Sequence, residues 1–303
     1  MGELSMWGGE IRVMPLVVLG ITFLILFVLV EGGIRFDKYR NQARRHPLTH
    51  GLLRGPGNAL REKVDNLKLD LMGQLMMLLM MPMLLYAFYV SEMAARKSSS
   101  GLPEAIYGSI AICAVIYTGY RITRLRAQIR QNRLGLDCEV AVGQELNSLM
   151  ANGFYVYHDF PAENFNIDHI VIGPTGVFAV ETKGRSKRMT GNGRNDAKVV
   201  FDGRCLLFPQ SAEVRPLEQA RLQAQWLSNW LNKAAGEQVQ AVPTLVIPGW
   251  FVSREGKSDV IVFNGKNPSS FFFKHRPTIL DQGQIARIRH QVEQKCRIYV
   301  IEK

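Results

Sequence analysis

Two hydrophobic patterns divide the chain. Three long apolar runs occupy residues 13–120, whereas residues 121–303 alternate short apolar stretches with charges, as a water-soluble core does. Residues 13–30 (VMPLVVLGITFLILFVLV) carry no charge over 18 positions. Coiled as a helix they span about 27 Å, close to the hydrocarbon thickness of a bilayer. Residues 71–90 (LMGQLMMLLMMPMLLYAFYV) form a second uncharged run of 20, and Pro82 near its middle is tolerated more readily in lipid than in water. A third run at 102–120 is diluted by Glu104, Gly108, Ser109 and Thr118. Its small residues Ala105, Ser109 and Cys113, spaced by four, suit close packing on a neighbouring helix. The pattern predicts about three transmembrane helices, with a buried soluble helix as the alternative for the third. Their centres hold no charged residue, which argues against a transporter or channel.

From Leu136 onward the period changes. It predicts a helix at about 139–151, strands at 154–160, 167–173 and 177–183, and a basic, glycine-containing loop at 184–198. A strand pair near 198–208, a long helix at about 216–235, strands near 242–247 and 259–263, a helix near 281–295 and a last strand near 297–301 complete the order. This is an α/β domain around a mixed sheet. The chain therefore reads as a transmembrane region, 1–135, followed by a domain at 136–303, with 131–137 as linker.

Charge orients the membrane region. Lys and Arg number 37 against 26 Asp and Glu, a formal net charge of +11. Nine of the cations lie in 31–70, and Arg121, Arg124, Arg126, Arg130 and Arg133 follow the third run with no acid between them. The positive-inside rule puts both segments in the cytoplasm and the N-terminus outside, as in a multi-pass protein of a bacterial-type inner membrane, with the lipid bilayer as partner. Cys113, Cys138, Cys205 and Cys296 lack pair or metal-ligand spacing and read as reduced thiols.

Candidate chemistry gathers in the second half. In the helix at 139–151, Val142, Glu145, Leu146 and Leu149 follow the spacing of a buried stripe, so Glu145 must snorkel, pair or face a polar site. Ile167–Ile172 and Val177–Lys183 flank Gly173-Pro174-Thr175-Gly176, a strong hairpin signal. Pairing Gly173 with Gly176 sets Asp168 opposite Glu181 and brings Lys183 out on the same face as Glu181. Two facing carboxylates repel, and a cation, a shared proton or a nearby Lys must compensate; a hard divalent metal is the strongest candidate. His169 falls on the other strand face, which suits packing. The glycine-interleaved cations of 183–204, among them Arg185, Lys187, Arg188 and Arg194, suit phosphate contacts, with a solvated loop as the alternative.

These residues, in the text GQEL...NIDHIVIGPTGVFAVETKG with Arg215-Pro216-Leu217-Glu218-Gln219 after it, resemble the nuclease-related domain (NERD) family of the PD-(D/E)XK nuclease superfamily. The resemblance covers roughly 138–250 and implies a restriction-endonuclease-like fold and a Mg²⁺ (or Mn²⁺)-dependent nuclease acting on nucleic acid, with DNA the expected substrate. It implies Asp168, Glu181 and the Thr182 carbonyl as metal ligands. It implies Glu145 as an auxiliary carboxylate, Lys183 as the group that orients or activates water, and Gln219 as a stabiliser of the site. Arg215 stands where the family has Asn. The rival reading is a non-catalytic, membrane-tethered nucleic-acid-binding or scaffold module.

Overall fold

A computed structural model describes residues 18, 21–22, 24–33, 35–36, 39–40, 51–95, 102–188, 193–236, 238–275 and 279–298. The chain divides into two compact units, Met1–Thr49 with Asn66–Gln128, and His50–Asp65 with Ile129–Lys303.

The described residues of the first unit are helical. The unit holds α1 (Leu24–Gly33), most of α2 (Asn58–Ala95) and the first part of α3 (Leu102–Asn147). Two helices are long and apolar enough to cross a membrane, over Asn58–Met93 and Ala105–Asn152, with mean hydropathies of 1.8 and 1.3. Met72, Met76, Leu79, Met83, Ile112 and Ile116 all point outward. Eight residues of the first predicted span, 13–17, 19, 20 and 23, lie outside the described residues; the others are helical, and those from Leu24 on belong to the short apolar helix α1. Pro82 sits inside α2 without ending it. The expected linker at 131–137 is instead helix, because α3 runs unbroken from 102 to 147. Residues 121–134 are dominated by Arg, Gln and Leu, good helix formers with no Pro or Gly to stop them.

The second unit is the α/β domain. Its main sheet is mixed, in the order β10-β8-β4-β3-β2, with β2 (Tyr155–Pro161), β3 (Asn166–Gly173) and β4 (Gly176–Thr182) antiparallel and β8 (Ala241–Val246) and β10 (Ile261–Phe263) parallel to β4. A smaller sheet runs β7-β6-β5-β9, from Ser211–Glu213, Leu206–Phe208, Lys198–Phe201 and Phe251–Arg254. One face of the main sheet is covered by α4 (Arg215–Ala234) and α6 (Gln282–Cys296), through Leu227, Leu231, Ile288 and Val292 against Ile170, Ile172 and Ala179. The other is covered by the end of α3, the 3-10 turn Ser148–Asn152 that follows it and α5 (Ser269–Phe272), through Val142, Leu146, Leu149 and Phe272 against Val171, Phe178 and Val180. Both faces of the central strands are thus dry, and β4 is buried along its whole length.

Residues 51–59 belong to this domain as well. β1 (Leu52–Leu53) pairs antiparallel with β11 (Arg297–Ile298), and the Arg54 amide donates to the Cys296 carbonyl at 3.0 Å. Buried Asp159, whose φ is 50°, holds the start of α2: its Oδ2 accepts from the Arg54 guanidinium at 3.1 Å and from the Ala59 amide at 3.0 Å. Asn166 supplies a third bond to Oδ1, at 2.8 Å. Pro56 then packs on Gly143, where a Cβ would come within 2.7 Å of the proline ring. Gly57, at φ +69°, fits against Leu136, and its positive φ excludes most other residues.

Candidate active site

The hairpin register matches the one its turn implies. Gly173 pairs with Gly176 and His169 with Val180, and the ladder stops one step before Asp168 would face Glu181. At that step the Asp168 side chain takes over from the backbone, its Oδ2 accepting from the Thr182 amide at 2.7 Å. Glu181, 3% exposed, is held at both oxygens: Lys183 Nζ lies 3.3 Å from Oε1 and Gln223 Nε2 donates to Oε2 at 2.6 Å. Lys183 also donates to Gln219 Oε1 at 3.1 Å. Gln219 and Gln223 stand one turn apart on α4, so one helix face steers both the lysine and the glutamate.

A third carboxylate, Glu139 of α3, feels the charge of this pair. Its carboxyl is pushed up to about 8, first by burial and then by the charges of Glu181 and Asp159, with Lys183 opposing. Asp168 is raised well above the usual carboxylate range by burial, then by Glu181 and Glu139. Protein surrounds its carboxyl closely, and the residue as a whole is half-buried. Glu181 is raised by burial, with Lys183 and Gln223 pulling the other way. Three carboxylates thus share one lysine, a local shortage of positive charge that a divalent cation would relieve.

Glu145 is not part of this cluster. It is exposed, and six residues of helix turn it about 120° away from Glu139 and carry it about 9 Å along the axis. Both glutamates flank the buried stripe Val142–Leu146–Leu149, on opposite sides, and the Glu139 flank is the one covered by Pro56, packed on Gly143, and by Gly57 beside the Glu139 carboxyl. Gln223 is the other group that the motif does not mark. A buried glutamine among Leu217, Ala220, Ala224 and Leu227 was its visible signal.

The basic segment splits. The Arg185 guanidinium is paired with Glu213 at 2.9 and 2.5 Å and its carbonyl accepts from Trp250 Nε1 at 3.1 Å. Lys187 and Arg188 are exposed, with Lys187 Nζ 5.8 Å from the centre of the Trp250 ring. The Arg194 side chain lies outside the described residues. His169 is buried on the opposite face, its Nδ1 2.9 Å from Nδ1 of His158, so one ring carries a proton there and the other does not. Burial lowers both; His158 falls to about 4.

Among the described residues, no three His, Cys, Asp or Glu side chains stand close enough together to hold a metal as they are. The donor chemistry nevertheless fits a hard cation. With Oδ2 of Asp168 occupied by Thr182, Oδ1 can turn outward, and Glu181 is freed if Lys183 releases Oε1.

Residues 134–248 match the family model of the nuclease-related domain. The match runs from α3 to the end of β8 and takes in Glu139, Asp168, Glu181, Lys183, Gln219 and Gln223. The segment 51–59 and the described residues after 248 lie beyond the matched segment, although they belong to the same compact unit. No curated protein and no solved structure matches the chain.

Proposed function

We propose that this protein is a membrane-anchored, metal-dependent phosphodiesterase that cleaves nucleic acid, with DNA as substrate. The observation that carries the reading is the Asp168–Glu181–Lys183 constellation at the end of β4, inside a segment that matches a nuclease-related family. Asp168, Glu181 and the Thr182 carbonyl would hold Mg²⁺ or Mn²⁺. Bound there, such an ion polarises the phosphate and lowers the pKa of a water.

The protein's own groups supply the rest. Gln223 fixes the Glu181 carboxylate, and Gln219 holds the Lys183 ammonium beside it, where its charge offsets that of a phosphate oxygen. Glu139, poised near 8, has the proton affinity that general acid or base work needs near neutral pH. Lys187 and Arg188 draw the sugar–phosphate chain toward the site, and the apolar flanks of α2 and α3 seat the chain in lipid.

The test is incubation of the purified full chain with supercoiled plasmid, linear duplex and single strands in Mg²⁺, Mn²⁺ or EDTA. Cleavage that EDTA abolishes and Lys183→Ala removes is the expected result. Binding without cleavage in every metal would overturn the enzyme reading in favour of a tethered nucleic-acid-binding module.

A further inference from the structure

Beside the carboxylate cluster, the outer face of α4 forms a groove of about 650 Å³. Its floor includes Gln219 and Gln223, the two amides that on their inner side hold Lys183 and Glu181. The groove therefore starts at the catalytic cluster itself. From Gln219 it follows the helix for two turns, about 10 Å, to Trp226. Its apolar surface comes from Leu222, which is 65% exposed, from Phe165, 38% exposed, and from the indole of Trp226. Phe165 stands edge-on to Trp226, with ring centres 5.5 Å apart, and Trp226 also packs on Phe160, Trp230 and Lys295. A packed aromatic wall with exposed apolar neighbours is a stacking surface.

Its polar groups fit the same ligand. Gln225 and Asn229 offer amides that can both donate and accept, and Glu218 can accept from an exocyclic amine. Arg215, exposed on the first turn of α4, places a cation where the adjoining phosphate would lie. The volume suits one base with its sugar and is too small for a duplex.

We propose that this groove receives an unpaired base of the substrate strand next to the phosphate held at the cluster, so that the protein acts on single-stranded or locally opened nucleic acid. The idea rests on the nuclease reading, and its test reads binding rather than cleavage. Full chain in detergent and EDTA is titrated against a labelled single strand of about twelve nucleotides and against the same strand made abasic. Wild type should bind the base-bearing strand about ten-fold more tightly, because stacking adds to an unchanged phosphate attraction.

Trp226→Ala should bring the two affinities together while leaving that for the abasic strand unchanged. Leu222→Ser, at an exposed position that leaves the core intact, should lower the ratio about three-fold, and keeps the test valid where the tryptophan variant misfolds. Equal affinities in the wild type, or an unchanged ratio in Leu222→Ser, would overturn the pocket and leave the nuclease reading standing. Failure to bind either strand would sink both.

Discussion

Replacing Glu139 by Gln separates the structural account of the site from the motif-based one. The rise of its carboxyl from an ordinary 4.5 to about 8 means that the folded protein resists ionising it. The protonated form is favoured by folding, so the group costs nothing below pH 4.5, and its penalty grows as pH rises through the window up to about 8. At about 1.4 kcal/mol per pH unit the ceiling is about 5 kcal/mol. Glu181 and Asp168 titrate alongside it and its edge meets water, which reduces the expected difference to about 2 kcal/mol. For a domain of this size that is about 4–8 °C in Tm. Thermal melts of the full chain in detergent and EDTA, followed by tryptophan fluorescence, should show wild type and Glu139→Gln close together at pH 5. By pH 9 the variant should melt higher. Saturating Mn²⁺ should shrink that gap, since the cation then supplies the missing charge. A gap that does not change between pH 5 and pH 9 would remove Glu139 from the cluster.

Further expectations follow from the same contacts. Asp168→Asn keeps an acceptor for the Thr182 amide and removes a repulsion, so without metal it should melt no lower than wild type, while losing the metal-induced rise in Tm. Arg54→Ala leaves Asp159 buried with two of its three hydrogen-bond partners, which should cost about 2–3 kcal/mol and lower the melting of the α/β domain by about 5 °C or more, measured in the same melts. Neutralising Lys187 and Arg188 together should weaken binding equally for unrelated sequences and flatten the dependence of log affinity on log salt by about two, read from anisotropy titrations; an unchanged slope would make them ordinary surface cations.

Local grammar made much of this readable. The turn Gly173–Gly176 fixes the hairpin register by itself, and with it the meeting of Asp168, Glu181 and Lys183. The long apolar period of 216–235 fixes α4 and hence Gln219. Glu139 is not legible locally because the stripe Val142–Leu146–Leu149 fits either flanking glutamate, and the residues that cover the Glu139 flank, Pro56 and Gly57, are remote in sequence. The docking of 51–59 was hidden for a related reason: β1 is two residues long, its partner lies some 245 positions away, and no local period announces either. The pairing of Arg185 with Glu213 is likewise illegible in the sequence, because the short strands β6 and β7 bring Glu213 within reach. The continuous α3 shows the opposite case: the polar residues and Gly135 of 131–137 suggest a linker, yet the segment is helix because the helix formers on both sides carry it through.

The central claim is that the carboxylates gathered at the end of β4, and not the glutamate of the helix motif, perform the hydrolysis. The most direct test compares Glu181→Gln with Glu145→Gln in one time course of nucleic-acid cleavage in Mg²⁺, using full-length protein whose melting confirms folding. The account predicts that Glu145→Gln cleaves within about two-fold of wild type, since its side chain lies exposed outside the cluster, and that Glu181→Gln loses at least about a hundred-fold. Cleavage retained by Glu181→Gln, or lost by Glu145→Gln, would contradict it.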